Sequence, residues 1–242
     1  MTSKIKSETI SIFIPLRKGS KRILKKNSKP FTMDGQSLFQ YKINQVLKIL
    51  DKVDELVIST DDQEIINQIP NSLKENNKFK LVERLEELCG DKTKVKDLIK
   101  HAEAVTTGDI IFWIHVTSPF VDELDFLKAI KKFKEIIKKG EGDSLMSVNS
   151  IQQFIWDDKS CDVINNNNQK NRWPNTQDLK PYYEINHAFY MNYRNSYLRD
   201  EDRIGKNPGL YICDGIKKID IDLAEDFEIA QYLIELHKKK NV

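Results

Sequence analysis

Several features that would narrow the function at once are scarce or missing from this chain. Only three cysteines, Cys89, Cys161 and Cys213, are spread over 242 residues. Their odd number and the lack of any CxxC or CxxH spacing exclude a disulfide framework and a zinc-finger-type site, which leaves three reduced thiols. No apolar run approaches the length that spans a bilayer. The opening MTSKIKSETI lacks the apolar core of a secretory signal. The expectation is a soluble, cytoplasmic protein with no membrane partner. A charge excess is missing too: 39 Lys and Arg face 37 Asp and Glu, a net charge of +2. Nucleic-acid binders show a clearer basic excess, so no nucleic-acid partner is expected. Neither GxGxxG nor the phosphate loop GxxxxGK followed by Ser or Thr occurs, which removes two familiar glycine-loop sites. With no internal repeat and no clear linker, residues 1–242 read as one domain.

What is present is a regular alternation. TISIFIPL (9–16) is a short β-branched run, the pattern of a buried strand. Leu38, Phe39, Ile43, Val46, Leu47 and Leu50 follow at helical spacing. Glu55 to Thr60 reads as a second strand, closed by acids that can cap the next helix, and Pro70 stops that helix. FKLVER is a third strand. KTKVKDLIKHAEAV is a helix with Gly108 in the place of a C-terminal cap. DIIFWIHVTSP is the most apolar strand and is expected at the centre. A helix capped at Gly140 and the strand DSLMSVNSI come next. Such β-α alternation predicts an α/β fold: a mostly parallel sheet between two helical layers. From 151 to about 190 the pattern turns polar and irregular around a run of Asn residues, and this stretch reads as an inserted, β-rich arm. HAFYMNY, PGLYIC and IKKIDIDL read as further strands, and AEDFEIAQYLIELHKKK as a closing helix.

Two stretches carry candidate chemistry. RKGSKRILKKN (17–27) holds six cations in eleven positions, directly after the first strand. In an open α/β sheet, ligands gather at the carboxyl ends of strands. Gly19 lets main-chain N–H groups approach phosphate oxygens, and the cations would neutralise a polyphosphate. A solvated turn is the competing reading. In KKIDIDLAEDF, Asp220 and Asp222 are two apart on an expected strand, so both point to one face while Ile219 and Ile221 face the core. Two such carboxylates suit Mg²⁺, a hard cation; two solvated acids at a strand edge are the alternative. Glu225 and Asp226 fit the positive end of the next helix. Thr117 and Ser118 end the central strand in a hydroxyl-rich turn. His115 lies within that strand, where packing is the commoner role.

Taken in order, these stretches resemble the acylneuraminate cytidylyltransferases (CMP-sialic acid synthetases), within a wider group that includes the CMP-Kdo synthetases. IPLRKGSKRILKKN is similar to IPARxGSKxIxxKN. Ser59, Thr60 and Asp61 match a strand ending STD. RLEELCGD, HVTSPFV, NHAFY and IDIDLAEDF match RPxELAxD, QPTSPLR, NGAIY and IDIDTxEDF. The matches run from residue 14 to 227. The resemblance implies a Rossmann-like three-layer α/β/α nucleotidyltransferase fold. It also implies cytidylyl transfer from CTP to a nonulosonic, sialic-acid-like sugar with release of pyrophosphate. CTP would meet Arg17, Gly19, Ser20, Lys21, Lys26, Asn27, Arg84 and Asp91. Arg17, Lys21, Lys26 and Asp222 would act at the triphosphate, and Asp220 and Asp222 would hold Mg²⁺. The sugar would meet His115, Thr117, Ser118 and Asn186, and the arm of one subunit would bring Arg172 and Gln177 to its neighbour's sugar site as candidates to meet the carboxylate. The arm is expected to build a homodimer. Lys18, Arg22 and Lys25 stand where the family varies and are expected to be solvated.

The chain departs from the family at His115 for Gln, Val121 for Arg, His187 for Gly and Leu223 for Thr. Because these changes are expected near the sugar, the resemblance implies an acceptor other than plain N-acetylneuraminic acid, such as legionaminic or pseudaminic acid, with a more apolar group where Val121 stands. A CMP-Kdo-type or other sugar nucleotidyltransferase is the nearest alternative. A glycosyltransferase would carry its acid pair at mid-chain, where this chain has only STDD. A binding protein without turnover would not need both ends of the triphosphate cradle.

Overall fold

The computed structural model describes residues 8–90, 93–168 and 170–240. The chain begins with strand β1 (Ile10–Leu16), and a long loop leads to helix α1 (Leu38–Leu47). Ser37 and Gln40 form a reciprocal capping box at the start of α1, which satisfies two otherwise orphaned donors. Then come β2 (Glu55–Thr60), α2 (Gln63–Gln68), α3 (Asn71–Lys74), β3 (Phe79–Glu83), α4 (Val95–Val105), β4 (Ile110–Ile114), α5 (Glu123–Lys139) and β5 (Ser144–Ile151). Asp62 caps α2 by accepting from Glu64 N, as the acids after Thr60 predict. Gly140 ends α5 at φ +68°, a conformation open to glycine. Gly108 behaves otherwise than predicted. Thr106 is the C-cap of α4, and Gly108 packs so tightly that an added Cβ would lie 2.7 Å from both N and Oγ of Ser11. Close approach to β1 is what this position requires.

After β5 the chain leaves the sheet, forms the hairpin β6 (Trp156–Asp157) and β7 (Asp162–Val163), and returns as β8 (Tyr182–Tyr193). Asn165, first of the Asn run, is buried. Its Nδ2 donates to Gln153 O at 2.7 Å and Lys180 O at 3.2 Å, and its Oδ1 accepts from Ile155 N. One side chain thereby ties the two ends of the excursion together. The chain closes with α6 (Arg194–Arg199), β9 (Pro208–Cys213) and α7 (Ala224–Lys240).

The main sheet has seven strands in the order β3-β2-β1-β4-β8-β5-β9. β8 runs antiparallel to β4 and β5, and the other pairs are parallel. The sheet is thus mostly parallel with β4 at its centre, as expected. On one face, Ile12, Ile14, Phe112 and Ile114 pack with Phe39 and Val46 of α1, Phe126 and Phe133 of α5, and Phe227 of α7. On the other, Phe13, Val57 and Trp113 pack with Ile99 and Ala102 of α4 and Tyr197 of α6. These are the two helical layers.

One expected strand is absent. Residues 219–223 form no strand; a short 3₁₀ turn (Gly215–Lys218) precedes an extended crossing segment. Both edges of β4 are occupied, by β1 and β8. The segment therefore meets that part of the sheet only beyond the end of β4, where Ile221 N donates to Thr117 O at 2.8 Å. The inward and outward alternation survives only in part: Ile221 is fully buried and Asp222 exposed, whereas Ile219 and Asp220 are both half-buried.

Candidate active site

The carboxyl ends of β1, β3 and β4 open into a cleft of about 380 Å³. Arg17, Ser20, Lys21, Arg22, Lys26 and Asn27 line one side. Arg84, His115, Val116, Thr117 and Asp222 contribute to the rest. The basic loop is shaped by local geometry. Gly19 turns at φ +81° and Lys25 at +53°, while the main-chain N–H of Lys18 donates to Asp61 Oδ1 at 2.7 Å. Lys25 pairs with Glu64, which also accepts from Ser28 Oγ at 2.9 Å. Lys25 thus tethers the loop to α2 while its side chain stays exposed, as expected of a solvated cation. Arg22 is more than a solvated cation: it lies in the cleft, 2.9 Å from Asp222.

Lys26 is the link across the cleft. Its Nζ donates to Ile221 O at 2.6 Å and stands 3.8 Å from Asp222. Burial lowers the amine's pKa, opposed by the charges of Asp222 and Asp220. Asp220 accepts from Ser118 Oγ at 3.2 Å. Burial raises its carboxyl above the ordinary range, with the Asp222 charge adding to the rise, whereas the Thr117 hydroxyl and Lys26 lower it. Asn27 lines the cleft, and among the described residues its Oδ1 is shielded from solvent with no hydrogen-bond partner. Arg84 is buried, its guanidinium donating to Ser59 O at 2.8 Å and Ser59 Oγ at 3.3 Å. Asp91 lies outside the described residues.

On the acceptor side of the prediction, the structure separates the residues. His115 lines the cleft, stacked on Trp113, and among the described residues its Nε2 is shielded without a partner. Burial holds the imidazole well below its ordinary pKa, so it is neutral near pH 7. Asn186 is buried: its Nδ2 donates to Asn149 Oδ1 at 3.1 Å, and its Oδ1 accepts from Ala188 N at 3.2 Å. Arg172 and Gln177 do not line the cleft. Arg172 pairs with Asp162 at 3.2 Å and packs over Trp156 and Trp173, and Gln177 O accepts from Gln152. Val121 is fully buried, which corrects the expectation that it faces the sugar. Its carbonyl and that of Ser118 accept the amine of Lys42 at 2.5 and 2.9 Å. The sequence signal for Lys42 was there: it sits four residues after Leu38 and three after Phe39, on the apolar face of α1.

Whether the expected Mg²⁺ suits these residues can be judged from the donors. Among the described residues no group of three or more His, Cys, Asp and Glu is placed to hold a metal. Mg²⁺ at a phosphate site is commonly held by one or two carboxylates plus phosphate oxygens, so two acids suffice. Asp222 is exposed, and its pairing with the equally exposed Arg22 is cheap to exchange. Asp220 and Asp222 fit the ion.

An N-acylneuraminate cytidylyltransferase of Escherichia coli O18:K1:H7 is 26% identical over 233 residues; the match covers 96% of this chain and 53% of that protein, so the chain spans about half its length. A pseudaminic acid cytidylyltransferase of Campylobacter jejuni is 26% identical over 235 residues, covering 93% of this chain and 95% of that one. A structure of CMP:2-keto-3-deoxy-manno-octonic acid synthetase complexed with CTP has the same fold, with a TM-score of 0.61 at 14% identity over 95% of this chain and 100% of that one. A 4-diphosphocytidyl-2C-methyl-D-erythritol synthase from Anaerococcus prevotii gives a TM-score of 0.61 at 16% identity, over 94% of this chain and 96% of that one. The family model described as cytidylyltransferase matches residues 11–240, and the chain belongs to that family.

Proposed function

We propose that this chain transfers the cytidylyl group of CTP to the anomeric hydroxyl of a nonulosonic, sialic-acid-like sugar. The observation that carries the reading is the contact of Lys26 with Ile221 and Asp222. It sets the cations of the first loop against the segment that carries Asp220 and Asp222, and Asp222 lines the same cleft. Arg17, Lys21 and Lys26 neutralise the triphosphate, with Gly19 and Ser20 offering main-chain donors. Asn27 and Arg84 lie toward the cytidine. The sugar hydroxyl attacks the α-phosphorus in line. A new O–P bond forms, the P–O bond to the β-phosphate breaks, and pyrophosphate leaves with the electron pair. The hydroxyl proton passes to solvent. Such a step needs positioning and charge neutralisation more than covalent help. Asp220 and Asp222 would hold Mg²⁺, which would supply charge neutralisation at the triphosphate.

Of the departures from the family, His115 lines the cleft, and with His187 and Leu223 it supports a 5,7-diamido sugar acid over N-acetylneuraminic acid as the acceptor. The exposed Trp156 and Trp173 of the excursion support a homodimer built through this arm. The test is pyrophosphate release from CTP and Mg²⁺ with N-acetylneuraminic, legionaminic and pseudaminic acids and Kdo. Turnover with a 5,7-diamido acid is expected. Strong preference for N-acetylneuraminic acid overturns the acceptor reading, and turnover with none overturns the activity. Asp222→Ala is expected to cut turnover by about 100-fold or more while CTP still protects the protein against thermal unfolding.

A further inference from the structure

One corner beside the cleft is not used by the triphosphate. It forms where the end of β4 meets β8, and its side chains are His115, His187, Tyr190 and Arg203. A break in the sheet shapes it. Between the pairs Met146–Tyr190 and Val148–Ile185 the register of β5 against β8 shifts, and His187 takes φ +60° there. That conformation is uncommon outside glycine and is worth attention near a site. His187 Nδ1 shares a 2.7 Å hydrogen bond with the Tyr190 hydroxyl.

Arg203 comes from the connection between α6 and β9. Its guanidinium lies 4.0 Å from the centre of the Tyr190 ring and 5.3 Å from that of Trp113. Nη2 donates to the Tyr190 hydroxyl at 3.2 Å. The guanidinium therefore rests on an aromatic shelf that fixes its plane. Among the described residues Arg203 forms no ion pair, although it is only partly exposed. Its charge acts on His115, which lines the cleft, and on His187, which also feels Asp220 and Asp222. Arg203 is thus a planar cation packed on Trp113 and Tyr190, whose rings in turn contact His115 of the cleft wall at 6.0 and 6.4 Å between centroids.

The proposed acceptor carries a carboxylate on the anomeric carbon, next to the attacking hydroxyl. A group that reads it must stand at the wall of the cleft, where His115 lies. We propose that Arg203 is this specificity-determining residue: its guanidinium, held on Tyr190, takes the carboxylate of the sugar acid through its paired N–H groups, and His115 offers its unpartnered Nε2 beside it. The assignment rests on the sugar-acid reading above. It gives the carboxylate contact to a residue of the same chain that no family motif marks, in place of Arg172, which was expected to reach the neighbouring subunit's site.

The test compares sugar acids with their C1 methyl esters in pyrophosphate release, using the unaltered chain, Arg203→Ala, Arg203→Lys and Arg172→Ala. Arg203→Ala is expected to raise the acceptor KM roughly 30- to 100-fold, with the CTP KM changed less than about 3-fold. Its preference for acid over ester should collapse, because the ester already lacks the charge that Arg203 reads. Arg203→Lys should retain part of the preference, since charge remains and the fork is lost. Equal losses on acid and ester would make Arg203 a packing residue and overturn the proposal. Acid preference intact in Arg203→Ala but lost in Arg172→Ala would overturn it as well. Should the unaltered chain turn over none of the acids, the sugar-acid reading itself falls, and this assignment with it.

Discussion

Lys42 shows how much one side chain can hold. It sits on the apolar face of α1, fully buried, with its amine on the carbonyls of Ser118 and Val121. Those carbonyls belong to the turn whose Ser118 hydroxyl supports Asp220. Burial pushes the amine down to about 7, against the attraction of Asp122, Asp125 and Glu123. An unfolded chain would keep that proton up to about 10.4. Between these values the unfolded state binds more protons, so this group makes the folded state more stable as pH rises from about 7 toward 10. Lys42→Met leaves two buried carbonyls without a donor, a cost of about 1–3 kcal/mol each. Its deficit relative to the unaltered chain should grow between pH 6.5 and 9.5. Urea unfolding at the two pH values checks this, and a deficit that does not change with pH would contradict a buried amine titrating in that range.

At the scale of elements, packing decided what local pattern could not. KTKVKDLIKHAEAV and the strand after it were legible from periodicity, yet the cap assigned to Gly108 was not, because close approach to Ser11 involves residues 97 positions apart. Gly108→Ala should lower stability by roughly 1–3 kcal/mol through overpacking. Gly108 does not line the cleft, so kcat should stay within about 2-fold. A denaturation midpoint unchanged by the substitution would show that β1 yields at this point. IKKIDIDL illustrates the converse case. Its alternation reads as a strand, and Ile221 does turn inward. With both edges of β4 taken, however, no edge at the centre of the sheet is left to pair with it. The aspartates sit on a crossing segment held by Lys26, Thr117 and the Asp226 carboxylate, which accepts from Asp222 N and Leu223 N.

For the whole molecule, the main event is the return of the chain after the excursion. β8 enters between β4 and β5, and its irregular register places His187 and Tyr190 beside the cleft. The excursion itself exposes Phe154, Trp156 and Trp173, with Phe154 and Trp173 in edge contact at 5.4 Å. Exposed aromatic clusters of this kind suit a protein interface. Sedimentation equilibrium should give twice the chain mass, and Trp173→Ser should shift the protein toward monomer. A fully active monomer at micromolar concentration would refute a dimer role for the arm.

Much of the architecture is local in origin. Runs of β-branched residues, helical spacing and the caps at Ser37, Asp62 and Gly140 are set by neighbours within a few positions, and the sequence alone determined them. The same holds for the basic loop and the aspartate pair as candidates, because their residue types carry the chemistry wherever they lie. Which cations act was a tertiary matter: Lys25 is drawn to Glu64 and Arg22 to Asp222 by elements far along the chain. The burial of Val121 and Lys42, the engagement of Arg172 within the excursion and the aromatic shelf under Arg203 also depend on long-range packing. Their roles follow from which neighbours the fold supplies, and periodicity along a chain records a residue's face but not its partner across the sheet.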